Sequence, residues 1–169
     1  MTRLITVILY IYFPFILMAQ SNKTTVAEDS IKQLFQKLYL QESDQAKKSV
    51  NKDIIEYFSQ VLSNGESFQI TFESLDMIGK LIAPDRSFKI FTWNIPMEGF
   101  TNEYHGLIQR AGRKKEECQV FRLSNKTRLS KGMLDNSYTS EQWPGALYYE
   151  VLRNKHGGNE FYTLLGFNF

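Results

Sequence analysis

The sequence predicts an α+β fold in which N-terminal helices pack on an antiparallel β-meander of about six strands. In residues 20–64, apolar residues recur every three or four positions, which is the period of a helix with one buried face. From residue 65 onward the two-residue period of strands takes over, and short segments rich in glycine, proline and charge separate the strands. The 169 residues have room for one such domain rather than two.

Two helices are predicted in residues 20–64. The first covers 30–40 and has one apolar face, formed by Ile31, Leu34, Phe35 and Leu38. The second opens at Ser43 and carries an apolar stripe of Val50, Ile54, Ile55, Phe58, Val61 and Leu62. Asn64 and Gly65 end it, because glycine readily adopts the left-handed conformation found at helix termini.

Three strand pairs are predicted in residues 65–169, whereas the segment 67–75 fits either a strand or a helix. The pairs are 77–83 with 88–94, 104–110 with 118–123, and 146–153 with 160–167. Several of these strands carry apolar residues on both faces, although a sheet with one face in water has polar residues on that side. We therefore expect the helices to cover one face, and the segment 124–144 or something outside this chain to cover the other.

Residues 1–19 have the pattern of a secretory signal peptide. Arg3 supplies the positive start, 4–18 is an almost unbroken apolar run, and the small residue Ala19 precedes a polar segment. We expect cleavage before Gln20, which leaves 20–169 as one exported domain, periplasmic or secreted, with no stable membrane span. The alternative is a retained anchor, but a membrane-spanning helix needs roughly 20 apolar residues, and this shorter run contains Pro14.

The composition argues against several classes of partner and site. The formal net charge is +2 and falls to +1 without Arg3, so nucleic acid and anionic membranes are not expected as partners. The single cysteine, Cys118, excludes an internal disulfide and a multi-cysteine metal site, and its place on a strand is typical of a small core residue. The sequence has no G-x-S-x-G element and no phosphate-binding loop, and we predict no cofactor.

The segment 83–93, APDRSFKIFTW, resembles the (S/A)PDxxFKI(Y/F)(S/T)W motif of a family of secreted, uncharacterised proteins from Bacteroidota. Residues 162–167, YTLLGF, are similar to the YxLLG(W/F) strand of the same family. The resemblance covers 78–167 and implies export and a β-rich domain, but it brings no known activity, cofactor or catalytic residue. It also implies that the chain stops short of the functional unit, since family members continue past this strand.

Aromatic residues of the β-rich part are candidates for a binding surface. Trp93, Trp143, Tyr148 and Tyr162 would form one exposed platform for a glycan or a peptide. We favour the interpretation that they pack against the covered faces of the sheet, because aromatic residues are favoured in strands whatever their function, and the exposed platform is the functional alternative. We interpret the chain as a non-enzymatic binding or structural module whose ligand the sequence does not identify.

An extracytoplasmic hydrolase of unfamiliar type is the alternative function. Glu103 and His105 are two residues apart on a strand and therefore share a face, and Asp85 lies in a predicted turn. The first two side chains would supply only two metal ligands, so we predict no metal site and favour a packing or surface role for His105. The enzyme hypothesis predicts that all three side chains converge in one pocket. The binding hypothesis predicts that Trp93 and Trp143 are exposed together.

Overall fold

Two helices precede six strands in the computed structural model, which describes residues 25–112, 117–124 and 139–168. Helix α1 covers 25–39 and helix α2 covers Asp44–Ser63. The strands are β1 (Gly79–Ile82), β2 (Phe88–Met97), β3 (Thr101–Ala111), β4 (Cys118–Ser124), β5 (Leu147–His156) and β6 (Asn159–Phe167). The α+β class predicted from the sequence is confirmed, and the strands differ from the predicted ones at their ends.

The strands form one sheet and one separate hairpin. Strands β1 to β4 lie side by side in chain order with antiparallel neighbours, and β5 pairs antiparallel with β6. The predicted meander is therefore divided into four strands and two. In the β5–β6 turn, Gly157 and Gly158 have φ values of 58° and 86°, as both central residues of a two-residue type I′ turn require.

Local sequence determines both ends of α2. The Oγ of Ser43 accepts a hydrogen bond from the Ala46 N–H at 3.3 Å, which satisfies one of the free donors of the first turn. At the other end, the Asn64 Oδ1 accepts from the Glu66 N–H at 2.9 Å and starts a short 3-10 helix, Gly65–Gln69. The predicted ends of α2 are confirmed, but Gly65 does not adopt a positive φ, and the extended cap residue Asn64 ends the helix. Helix α1 is already helical at residue 25, five residues before its predicted start.

The segment 67–75, which fits two interpretations in the sequence, contains no strand. After the 3-10 helix it continues as loop and turns toward β1. Two lysines on the sheet hold this loop, since Lys89 Nζ donates to the Ile70 carbonyl and Lys80 Nζ to the Phe72 carbonyl, both at 2.7 Å. Phe72 adopts a positive φ of 53°, and its side chain is fully buried in the core. Tertiary contacts therefore determine the conformation of this segment.

The helices cover one face of the four-stranded sheet. The residues that fill this interface include Ile31, Phe35, Leu38, Ile54, Phe58, Leu62, Phe91, Trp93, Ile95 and Leu107. Trp93 is 1% exposed, and its ring meets that of Phe35 edge to face with centroids 5.5 Å apart. The Trp93 Nε1 donates to the Asn51 Oδ1 of α2 at 2.8 Å, so a buried hydrogen bond joins the helix to the sheet.

Trp143 and the β5–β6 hairpin cover the opposite face of the sheet. The sheet residues packed in this second interface include Ile90, Tyr104 and Leu123. The Tyr148 N–H donates to the Thr92 Oγ1 at 3.2 Å. A Cβ built on Gly79 would lie 2.8 Å from that Oγ1 and 3.1 Å from the Tyr148 carbonyl oxygen. This close approach explains why β1 carries a glycine there. Both faces are covered, but the second cover differs from the expected one, because the β5–β6 hairpin provides most of it and Trp143 is the contribution of the segment 124–144. Residues 125–138 of that segment lie outside the described residues.

Candidate functional site

The four aromatic residues expected to form a platform do not lie together at the surface. Trp93 is 1% exposed in the helix-facing interface, and Trp143 is 6% exposed on the other side of the sheet. Tyr148 and Tyr162 are half-buried: the Tyr148 hydroxyl accepts from the Trp143 Nε1 at 2.9 Å, and the Tyr162 ring meets Phe88 edge to face. Both indoles are buried, as the packing interpretation predicts, because a sheet covered on two sides uses its aromatic residues to fill both interfaces.

Tyr162 joins the hairpin to the turn between β1 and β2. Its hydroxyl donates to the Asp85 Oδ2 at 2.6 Å, and the Ser87 hydroxyl donates to the Asp85 Oδ1 at 2.8 Å. These hydrogen bonds lower the pKa of Asp85 from 3.8 to about 2, and the bond from Tyr162 has the largest effect. The charge of Arg153 lowers this pKa slightly further. Asp85 is therefore an ionised acceptor that fixes the hairpin.

A polar pocket of about 360 Å³ opens between α2 and strands β3 and β4. Glu103 and His105, the pair expected to share a strand face, both line it. Asp85 lies near the other end of the sheet, because its turn precedes Phe88, and the strand partner of His105 is Trp93. Phe88 and Trp93 are five positions apart on β2, which places them roughly 17 Å from each other. Two of the three candidate catalytic side chains converge, and the third does not.

One side of this pocket is formed by three polar side chains, those of Lys48, Glu103 and His105. The Glu103 Oε1 bonds the Lys48 Nζ of α2 at 2.7 Å, and its Oε2 lies 3.8 Å from the His105 Nε2. The His105 side chain is 17% exposed, and its Nε2 is buried with no hydrogen-bond partner among the described residues. Burial lowers the pKa of His105 from 6.5 to about 4, although Glu103 acts in the opposite direction. The imidazole is therefore neutral at pH 7, and its contact with Glu103 is not an ion pair.

An exposed apolar surface lies on the hairpin, and it is formed by residues other than the four aromatic candidates of the sequence. Its four large residues, here named the outer hairpin face, are Tyr149, Leu152, Phe161 and Phe167. Each is between 41% and 59% exposed. Tyr149 and Phe167 stack with ring centroids 6.2 Å apart and ring planes 27° apart. A β-bulge between Tyr148 and Glu150 leaves Tyr149 outside the pairing, a feature that periodicity alone does not reveal.

Comparison of the chain with protein-family models, with curated proteins and with solved structures found no significant match. Within 25–112, 117–124 and 139–168, no helix is long and apolar enough to cross a membrane. In the same residues, no group of three or more His, Cys, Asp and Glu side chains is placed to hold a metal ion. The outer hairpin face and the polar pocket are thus the two surface features on which a function can be argued.

His105 should make the protein sensitive to acid between pH 6.5 and about 4. Its pKa is depressed in the folded protein, so in this window the unfolded chain binds a proton that the folded chain excludes. The stability contributed by the neutral imidazole is complete above pH 6.5 and is lost as pH falls toward 4. The loss should reach at most about 3 kcal/mol. Urea unfolding across this pH range measures it.

The matched variants are His105→Gln and His156→Gln. The first removes the buried imidazole, so its unfolding free energy should fall less across the window than that of the wild type. The second changes an exposed histidine beside the β5–β6 turn and should keep the wild-type loss. An equal pH dependence in all three proteins would contradict the assigned state of His105.

Proposed function

We propose that this chain is an exported, non-enzymatic binding module that contacts a peptide or protein segment through the outer hairpin face. The observation that carries the proposal is the exposure of four large apolar side chains on one side of a hairpin whose other side is docked. Contiguous apolar surface on a soluble protein commonly marks an interaction site. The apolar strip with polar neighbours also has the arrangement of a protein interface, with an apolar centre and a polar rim.

The chemistry of this surface favours a peptide over a glycan. Sugars stack on the free face of an aromatic ring, and Tyr149 and Phe167 each use one ring face to stack on the other. Leu152 and Phe161 add apolar surface further along the hairpin. The polar side chains opposite them, Thr163 and Asn154, bond each other at 2.9 Å. Strand β5 has 10 residues and so spans roughly 33 Å, a length that suits an extended segment.

The surroundings of the candidate catalytic groups support a role without catalysis. A general base works best with a pKa near the working pH, whereas burial holds the pKa of His105 at about 4. Glu103 is paired with Lys48, and Asp85 is bonded by Tyr162 at a distant part of the sheet. His105, Glu103 and Asp85 therefore have structural roles in this fold.

Export is proposed from the pattern of residues 1–19, which lie outside the described part of the chain, and from the motif in 83–93. Expression of the full chain in a bacterial host with a secretory pathway should place the protein outside the cytoplasm. Intact-mass analysis of that fraction should give a chain that begins at Gln20. A product that stays in the cytoplasm with Met1 to Ala19 attached would contradict export.

The binding surface is tested with a peptide library displayed on phage and selected against residues 20–169. Selected peptides should be rich in apolar residues, and the double variant Tyr149→Ser with Phe161→Ser should bind them at least about tenfold more weakly, as loss of aromatic anchors does. The control is Phe100→Ser, because Phe100 is fully exposed in the β2–β3 turn, away from the hairpin. It should keep full binding.

The possible outcomes separate the hypotheses. All these positions are exposed, so urea unfolding should find the variants folded, and lost binding then reports on the surface. Equal loss in Phe100→Ser would contradict the assignment to the hairpin. Failure to select any peptide, together with binding of wild-type protein to a glycan array that the double variant lacks, would contradict the peptide class.

A further inference from the structure

The polar pocket between α2 and the β3–β4 pair is separate from the outer hairpin face and has its own chemistry. Three cationic side chains line it, those of Lys48, Lys52 and Arg122. Two carboxylates, Glu56 and Glu103, also line it, which leaves a net charge of +1. The pocket therefore attracts a ligand that carries one negative charge.

Asn51 supplies a hydrogen-bond donor of fixed direction to this pocket. The residue is 4% exposed, and its Oδ1 accepts from the Trp93 indole, which can only donate. The amide nitrogen, Nδ2, must then lie on the other side of the Asn51 side chain. Nδ2 makes no hydrogen bond to another described residue, and it is not fully shielded from solvent. Since Asn51 lines the pocket, its N–H groups are available to a ligand there.

Arg122 is the cation of this pocket that the described residues leave unpaired. Lys48 bonds Glu103 at 2.7 Å, and Lys52 lies 3.9 Å from Glu56. The Arg122 side chain makes no ion pair or hydrogen bond within the described residues. A guanidinium binds a carboxylate through two parallel N–H donors, which is the strongest geometry open to it. Arg122 on β4 and Asn51 on α2 are thus two unused donors in one pocket.

We propose that this pocket binds a small carboxylate, held by the Arg122 guanidinium and the Asn51 Nδ2. A carboxylate neutralises the net charge of +1, and the volume of about 360 Å³ lies within the range of small-molecule sites. The neighbouring Ser124, which pairs with His105 across β3 and β4, offers a hydroxyl for a second polar group of the ligand. The carboxylate comes from a sugar acid or from the C terminus of a peptide, and the two share this chemistry.

Titration followed by NMR of residues 20–169 tests the proposal with two pairs of probes. The carboxylates are glucuronate and N-acetylalanine, and the neutral counterparts are glucose and N-acetylalanine amide. At least one carboxylate should shift the Asn51 side-chain amide and the Arg122 backbone amide saturably, and its neutral counterpart should not. Preference for glucuronate identifies a sugar source, and preference for N-acetylalanine identifies a peptide source. Absence of saturable shifts with both carboxylates would overturn the proposal.

Three variants locate the site. Arg122→Met removes the unpaired guanidinium at an exposed position and should weaken binding at least about tenfold, or about 1.4 kcal/mol. Asn51→Asp keeps an acceptor for the Trp93 indole but removes the amide donor, and should weaken binding similarly. Arg110→Met is the control, because Arg110 is exposed on β3 opposite Phe88 and does not line the pocket. Unchanged affinity in Arg122→Met, or an equal loss in Arg110→Met, would show that the carboxylate binds elsewhere.

Discussion

The buried hydrogen bond between Trp93 and Asn51 is the interaction on which the rest of the structure depends. It joins the second strand of the sheet to the middle of α2 inside an apolar interface, where either group without its partner would cost about 1–3 kcal/mol. The indole has a single N–H, so it can make this hydrogen bond in only one direction. Together with the buried apolar face of α2, it therefore fixes the rotation of the helix on the sheet, and this rotation places Lys48 beside Glu103 and Asn51 at the pocket.

The same constraint explains why the hairpin is needed. With Trp93, Phe91 and Ile95 directed to the helices, the alternate residues of β2 require a second cover, and Ile90 packs against Trp143 and the hairpin residues. The sheet is the middle of three layers. The hairpin is the outermost layer and has nothing described beyond it, so its apolar side chains face solvent. The proposed binding surface is thus a consequence of the layer order.

Much of this fold could be predicted from local sequence, because Ser43 and Asn64 act within one turn of α2, and strand alternation with glycine turns acts within one hairpin. The conformation of the segment 67–75 could not be predicted, because the two lysines that hold it lie on strands later in the chain. The candidate binding surface was harder to predict than the fold. An aromatic residue on a strand has the same periodicity in a core as on a platform, so periodicity alone could not decide whether Trp93 is buried. The bulge that exposes Tyr149 leaves no mark on the pattern.

The central claim is that Asn51 holds Trp93 in the core, and the exchange rate of the Trp93 indole hydrogen with solvent tests it most directly. NMR should find this hydrogen among the slowest in the wild-type protein. In Asn51→Leu it should exchange much faster, while the indole of Trp143, which bonds the Tyr148 hydroxyl, should keep its rate. Fast exchange at Trp93 in the wild type, or a rate that Asn51→Leu does not change, would contradict the account.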